Sequence, residues 1–303
     1  MKVLLLGARG FIGKNLSIYL SKDYLIKQIS LRDTDWEKQA LFGDVIINLV
    51  GKAHDHEKKA TEADFYHANL GLAMKSFQVF KNSSAKLFIH ISSLAALEEY
   101  ESNEPLTEDA ICHPSSWYGK SKHAAEEWLL AQEIPKDKRL IILRPPMVHG
   151  PGDKGNLKLL FNFVEKGIPY PLIKFNNARS FIGIENFCFF IDQIIKKFDS
   201  VPTGIFHISD DEPLSTSDLI KVIKEVTNKK GFNLGVPKGL VVFMAKIGDF
   251  IPFPLNSKRL KKMTGTLLVA NNKIKEQLEI ERLPITAKEG MIKTIESFGK
   301  NKN

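Results

Sequence analysis

The apolar run Val3-Leu4-Leu5-Leu6 ends directly in Gly7-Ala8-Arg9-Gly10-Phe11-Ile12-Gly13, and helical spacing of apolar residues continues from Phe11 to Leu20. An apolar run that stops at a glycine and restarts with helical spacing reads as strand, tight turn and helix. The early glycines let the backbone turn sharply and approach a pyrophosphate, and the last lets the helix pack on the sheet. The helix N-terminus supplies free N–H groups and a positive dipole end. The spacing is GxxGxxG, one residue wider than the usual dinucleotide fingerprint. Gly7, Arg9, Gly10, Phe11, Ile12 and Gly13 are therefore cofactor-binding candidates.

The rest of the chain repeats the pattern. Short Val-, Ile- and Leu-rich runs at 3–6, 24–31, 45–50, 87–91 and 140–143 predict buried parallel strands. Helical patterns lie between them at 11–20, 62–81 and 118–132, with further helices expected at 216–227 and near 288–298. This order predicts an α/β fold: a doubly wound, Rossmann-like parallel sheet with a smaller, mainly helical C-terminal substrate lobe. The expected cofactor domain is 1–167, with 181–210 returning to it, and the lobe is 168–303.

Composition narrows the partners. The chain has 303 residues, ordinary apolar and charged fractions, and a net charge of +8. All of that excess lies after residue 150, in the half expected to receive substrate. Cys112 and Cys188 are too few for a disulfide framework and are expected to be buried or incidental, which fits a reducing, cytoplasmic setting. The first apolar run is too short for a signal peptide. The stretch 240–255 is interrupted by Lys246, Asp249 and two prolines, so it is expected to be a buried helix rather than a membrane span. No membrane partner is expected. Lys229-Lys230 and Lys258-Arg259-Leu260-Lys261-Lys262 lack interleaved aromatics, so no nucleic-acid partner is expected either. His54 and His56 flank Asp55 without an evident third ligand, so no metal is expected.

Chemistry enters with Ser93, Tyr118 and Lys122. Residues four apart share a helix face, which puts Lys122 beside the Tyr118 ring. A free phenol near pKa 10 is a poor base at neutral pH. A nearby ammonium favours phenolate, so the tyrosine can exchange a proton with a substrate hydroxyl. Ser92-Ser93 ends the fourth predicted strand, at the sheet edge where doubly wound folds bind ligands. There the serine hydroxyl can share the charge that develops on the same oxygen. At the end of the second strand, Ser30 does not repel a 2′-phosphate, and Arg9 and Arg32 can pair with one. This leans toward NADP, although Asp33 keeps NAD open.

With these residues in view, the chain resembles the extended short-chain dehydrogenase/reductases, in the NAD-dependent epimerase/dehydratase group that acts on nucleotide sugars. The matching segments are Gly7–Gly13, Asp44–Leu49, Asn69, Ser92-Ser93, Tyr118–Lys122, Leu143-Arg144-Pro145-Pro146, Arg179-Ser180-Phe181 and Leu267–Asn272. The resemblance implies that Ser93, Tyr118 and Lys122 are catalytic, with Ser93 and Tyr118 touching substrate and Lys122 holding the nicotinamide ribose. It implies that Val50, Gly51 and Pro145 lie beside the cofactor. It implies Arg179 at a substrate pyrophosphate, with Arg259 as a second candidate, and a possible homodimer through the helices at 62–81 and 118–132. His149 is a further candidate for the sugar pocket.

Departures from the family pattern divide the reactions. The family's 4,6-dehydratases place Asp-Glu directly after the catalytic Ser/Thr, where this chain has Leu94 and Ala95. Neither can move a proton, which disfavours dehydration. Met147 stands near a position where some epimerases carry a substrate-contacting asparagine, and Ala96-Leu97-Glu98 replaces a usual Val-Tyr-Gly. The expected activity is hydride transfer at the 4-position of a UDP-sugar, a hexose or N-acetylhexosamine, by a 4-epimerase. The alternatives are an NADPH-dependent reductase of a UDP-4-keto-6-deoxy sugar and an inactive nucleotide-binding scaffold.

Overall fold

The architecture is taken from a computed structural model, which describes residues 1–53, 59–153, 155–167, 170–172, 174–228, 235–251 and 256–300. His54, Asp55, His56, Lys229 and Lys230 lie outside the described residues.

The first half alternates strand and helix. It runs β1 (Lys2–Leu6), α1 (Phe11–Leu20), β2 (Leu25–Ile29), α2 (Trp36–Gln39), β3 (Val45–Asn48), α3 (Glu62–Tyr66), a π-helical turn (His67–Gly71), α4 (Leu72–Asn82) and β4 (Leu87–Ile91). Then follow α5 (Trp117–Leu130), β5 (Arg139–Arg144), β6 (Met147–His149), α6 (Asn156–Glu165), β7 (Phe181–Gly183), α7 (Ile184–Lys197) and β8 (Gly204–His207). The remaining elements are α8 (Thr216–Thr227), α9 (Lys238–Ile247), α10 (Ser257–Thr264), α11 (Asn272–Gln277) and α12 (Ala287–Lys300).

Six strands form one parallel sheet in the order β2-β1-β3-β4-β5-β8. Alternation along the strands divides its core between two faces. Val3, Leu5, Val45, Ile47, Ile89 and Ile141 pack with residues of α1 and α7. Leu4, Leu6, Ile46, Phe88 and Ile142 pack with Trp36 of α2, Phe77 and Phe80 of α4, and Leu129 of α5. The segment from β7 to β8 belongs to the first of these clusters, and β8 completes the sheet. A separate core joins α6, α8, α9, α10 and α12 through Phe161, Ile223, Val241, Leu260 and Ile295.

Two expectations need correction. The helix read across 62–81 is interrupted by a π turn, which widens the backbone by one residue and carries Asn69 into the interior. The stretch read as a buried helix at 240–255 instead contains α9, of which only Val241 and Ala245 are buried. Leu240, Phe243, Met244, Ile247, Phe250 and Ile251 are exposed.

Candidate active site

The strand order reverses between β1 and β3, and in doubly wound sheets such a switch point is where ligands bind, outside the C-terminal ends of the strands. Gly7 leaves β1 at φ +80°, a left-handed conformation that favours glycine, and a Cβ there would stand 2.9 Å from Val50 Cγ2. Gly13 lies so close to the loop that a Cβ would be 2.5 Å from Ala8 Cα. Gly10 precedes α1 and supplies no side-chain cap, so the first N–H groups of the helix are open to an anion. Phe11 and Ile12 are half-buried against the sheet core. Arg9 and Arg32 are exposed, and the Ser30 hydroxyl accepts the Arg32 N–H at 3.4 Å.

The end of β3 is fixed from below. Asn48 is fully buried, pairs with the His90 ring at 3.2 Å and accepts the Val50 N–H at 3.1 Å. Burial holds His90 well below the usual imidazole range, so it is neutral at pH 7. Gly51 follows, exposed. A Cβ on it would lie 2.9 Å from Asn69 Oδ1 and 3.0 Å from Lys122 Nζ. Asn69 clamps Lys52 by accepting its N–H at 2.8 Å and donating to its carbonyl at 3.1 Å, and it also donates to Ser121 Oγ at 2.9 Å. One amide thus ties the chain after β3 to α5.

α5 begins at Trp117 because Ser116 caps it, accepting the Gly119 N–H at 3.0 Å. Glu99 Oε1 accepts the Ser116 N–H at 2.7 Å and the Ser115 N–H at 3.2 Å, locking the approach to the helix. Gly119 packs against the turn after β4, where a Cβ would be 2.4 Å from the Ala95 carbonyl. This contact sets the start of α5 against the turn that Ser93 begins, where the Ser93 hydroxyl accepts the Ala95 N–H at 3.2 Å. Burial raises the Tyr118 pKa, and nearby Ser93 opposes that rise.

Lys122 is buried on the same helix and donates to the Ile91 carbonyl at 2.8 Å. Burial lowers its pKa to about 8, with Glu126 acting in the opposite direction. The ammonium is directed to the end of β4, four residues along α5 from Tyr118. Pro145 is buried, and its carbonyl accepts the Leu94 N–H at 2.8 Å, joining the end of β5 to the same turn.

Beneath this turn lies a buried ion pair that sequence reasoning missed. Arg144 Nε meets Glu126 Oε1 at 3.0 Å, and Nη2 meets Oε2 at 2.7 Å. Ser92 donates to the same carboxylate. Burial opposes the Glu126 charge, but the His123 ring 3.8 Å away and the hydrogen bonds from Arg144 and Ser92 prevail and hold the carboxyl below its usual range. The available signal was position: Glu126 is one helical turn beyond Lys122.

The substrate-side candidates are more scattered. Arg179 Nη1 donates to the carbonyls of Tyr100, Lys262 and Gly265 at 3.1–3.3 Å, and so ties α10 to the loop that descends from Ser93. Arg259 is exposed on α10. His149 is fully buried; its Nδ1 lies 2.9 Å from Thr294 Oγ1 and its Nε2 3.9 Å from Asp210. Burial lowers its pKa to about 4. A neutral imidazole enclosed in this way braces β6 against α12 instead of lining an open sugar pocket. Among the described residues, no group of three or more His, Cys, Asp or Glu is arranged to hold a metal ion.

Comparisons with known proteins agree with this geometry. The chain is 28% identical to the UDP-glucose 4-epimerase of Vibrio cholerae over 98% of its length and 95% of the relative's. It is 24% identical to the N-acetyl-alpha-D-glucosaminyl-diphospho-ditrans,octacis-undecaprenol 4-epimerase of Escherichia coli O157:H7, over 97% of this chain and 94% of the relative. The crystal structure of UDP-glucuronic acid 4-epimerase from Bacillus cereus in complex with NAD has the same fold, with a TM-score of 0.79 over all of both chains at 16% identity. Residues 3–209 match the model of one family, which also accounts for the glycine cradle, and the chain therefore belongs to the NAD dependent epimerase/dehydratase family.

Proposed function

We propose that the protein is an NAD(P)-dependent 4-epimerase of a UDP-linked hexose or N-acetylhexosamine, with Ser93, Tyr118 and Lys122 as its catalytic residues. The observation that carries this reading is the packing of α5 on the turn after β4, which sets Tyr118 near Ser93 and puts buried Lys122 at the end of β4, beside Gly51.

The described residues fit a dinucleotide. The uncapped start of α1 suits the pyrophosphate, with Gly7, Gly10 and Gly13 keeping the approach clear. Val50, Gly51 and Pro145 are suited to flank the nicotinamide end, where Lys122 would donate to the ribose. Nicotinamide bound there would supply reversible hydride-acceptor chemistry for C4 of the sugar.

The chain's own residues handle the proton. Tyr118 takes the proton of the 4-hydroxyl and later gives it back. Ser93 donates to the same oxygen and shares its charge as the carbonyl forms and is consumed. Burial disfavours phenolate in the free protein, so substrate, cofactor charge and the Ser93 hydroxyl must together bring Tyr118 into its basic form. Leu94 and Ala95 follow Ser93 with no acid or base, which favours epimerisation over dehydration. The two curated relatives carry their sugars on different diphosphates and share 4-epimerisation in their names.

A second reading, an NADPH-dependent reductase of a UDP-4-keto-6-deoxy sugar, is favoured by the exposed Arg9 and Arg32 and by Ser30 in place of an acid. Purified protein with UDP-N-acetylglucosamine or UDP-glucose separates the readings. Formation of the 4-epimer without added reductant supports the epimerase. No epimer, with stoichiometric NADPH consumption on a 4-keto sugar, supports the reductase and overturns the first reading.

A further inference from the structure

α9 turns only a narrow face inward. Val241 and Ala245, four residues apart, join the core of the C-terminal lobe. On its other side Leu240, Phe243, Met244 and Ile247 repeat at spacings of three and four, and Phe250 and Ile251 extend the same series. Phe243 is 61% exposed and Phe250 90% exposed. Scattered apolar residues are ordinary on a protein surface, but a contiguous stripe marks a contact. Beyond the described residues, the sequence continues as Pro252-Phe253-Pro254-Leu255, apolar throughout.

Charge selects the partner. Between residues 235 and 265 the chain carries Lys238, Lys246, Lys258, Arg259, Lys261 and Lys262 against a single acid, Asp249. Asp249 is engaged by the N–H and hydroxyl of Ser257, which anchors α10 beside α9. Lys261 pairs with Glu101 at 2.9 Å, whereas Lys238 and Lys246 on α9 and Lys258 and Lys262 on the adjoining α10 are exposed, Lys238 lying over the Phe175 ring. Two copies meeting through this face would bring like charges together. A surface of anionic headgroups over an apolar interior matches both features. The geometry is interfacial: α9 has 10 residues, and no helix among the described residues is long and apolar enough to cross a membrane.

We propose that the protein docks on anionic membranes through this face. α9 and the turn at 248–251 lie in the plane of the interface, with Phe243, Ile247 and Phe250 among the acyl chains and the surrounding lysines at the lipid phosphates.

The test is vesicle flotation of the full chain. Binding is expected to phosphatidylcholine vesicles containing phosphatidylglycerol, to weaken with salt, and to be much weaker on phosphatidylcholine alone. Phe243→Ser with Phe250→Ser, and separately Lys238→Glu with Lys246→Glu, are each expected to weaken binding by more than about ten-fold. Unchanged melting temperature and unchanged turnover of soluble substrate show that these variants fold. In otherwise wild-type protein, emission from Phe250→Trp is expected to shift to the blue on anionic vesicles, and this does not depend on the other variants. Absence of wild-type binding, or binding that survives both double variants, overturns the proposal. So does a wild-type dimer in light scattering that Phe243→Ser with Phe250→Ser dissolves, since the face would then join two copies of the chain.

Discussion

Removing the Glu126 carboxylate is expected to destabilise the fold far more than an ordinary helix substitution. The two side chains of the pair are 1% and 2% exposed, and Arg144 meets the carboxylate through two nitrogens at 3.0 and 2.7 Å. In Glu126→Ala the guanidinium stays buried without a counter-charge, which costs about 3–5 kcal/mol. For a chain of this size that is a fall of roughly 6–10 °C in melting temperature. Replacing the whole pair, as Glu126→Leu with Arg144→Met, removes the orphaned charge and is expected to recover most of the loss. The loss should also depend on pH. Glu126 is held below its unfolded value of 4.5, so its contribution is fully present above that pH and disappears as pH falls through the folded value. Urea denaturation of cofactor-free wild type and variants at pH 7 and in mild acid measures both effects. A Glu126→Ala variant within about 0.5 kcal/mol of wild type, or a double variant no more stable than the single one, would refute the reasoning.

Gly51→Val is expected to weaken cofactor binding by about ten-fold or more, or ~1.4 kcal/mol, and to lower stability as well, because a side chain there crowds Asn69 and Lys122. The added Cβ meets Asn69 Oδ1 at 2.9 Å, and three hydrogen bonds prevent that amide from yielding; calorimetric titration with NAD and NADP is the check. Lys122 gives up its proton near pH 8 in the folded protein and near 10.5 when unfolded. Unfolding therefore takes up a proton between these values, and stability from this group rises with pH there by about 3 kcal/mol. The stability difference between wild type and Lys122→Met, followed from pH 7 to 10.5, should show that rise, and a flat difference would contradict it. Arg32→Ala is expected to weaken NADP binding by about ten-fold and leave NAD binding unchanged, if the guanidinium meets a 2′-phosphate. Equal losses for both cofactors would remove the case for NADP.

The sheet was legible because parallel strands buried on both faces read as unbroken Val, Ile and Leu runs. The run at 87–91 matches β4 at both ends, whereas 24–31 overreaches β2, since apolar character persists after pairing stops. The π turn was hidden because a single inserted residue barely disturbs helical periodicity over 62–82. The Ser, Tyr and Lys of the site were legible through local spacing and strand position. The Glu126 pairing was not, because its partner Arg144 arrives from β5, and the resemblance marked Asn69 without showing that it clamps Lys52 after β3. Sequence does not reveal that backbone carbonyls of Tyr100, Lys262 and Gly265 hold Arg179 Nη1. The stripe on α9 looked like core because periodicity gives the position of an apolar face and says nothing about what covers it.

The central claim is that hydride leaves and returns to one sugar carbon while Tyr118 moves the hydroxyl proton. UDP-glucose or UDP-N-acetylglucosamine deuterated at C4, incubated with wild type and with Tyr118→Phe without added reductant and followed by NMR, tests it directly. The expected result is a 4-epimer that keeps its deuterium at C4 with wild type, and no turnover by a Tyr118→Phe variant that still binds cofactor. Loss of the deuterium to solvent, or epimerisation that survives in Tyr118→Phe, would contradict the account.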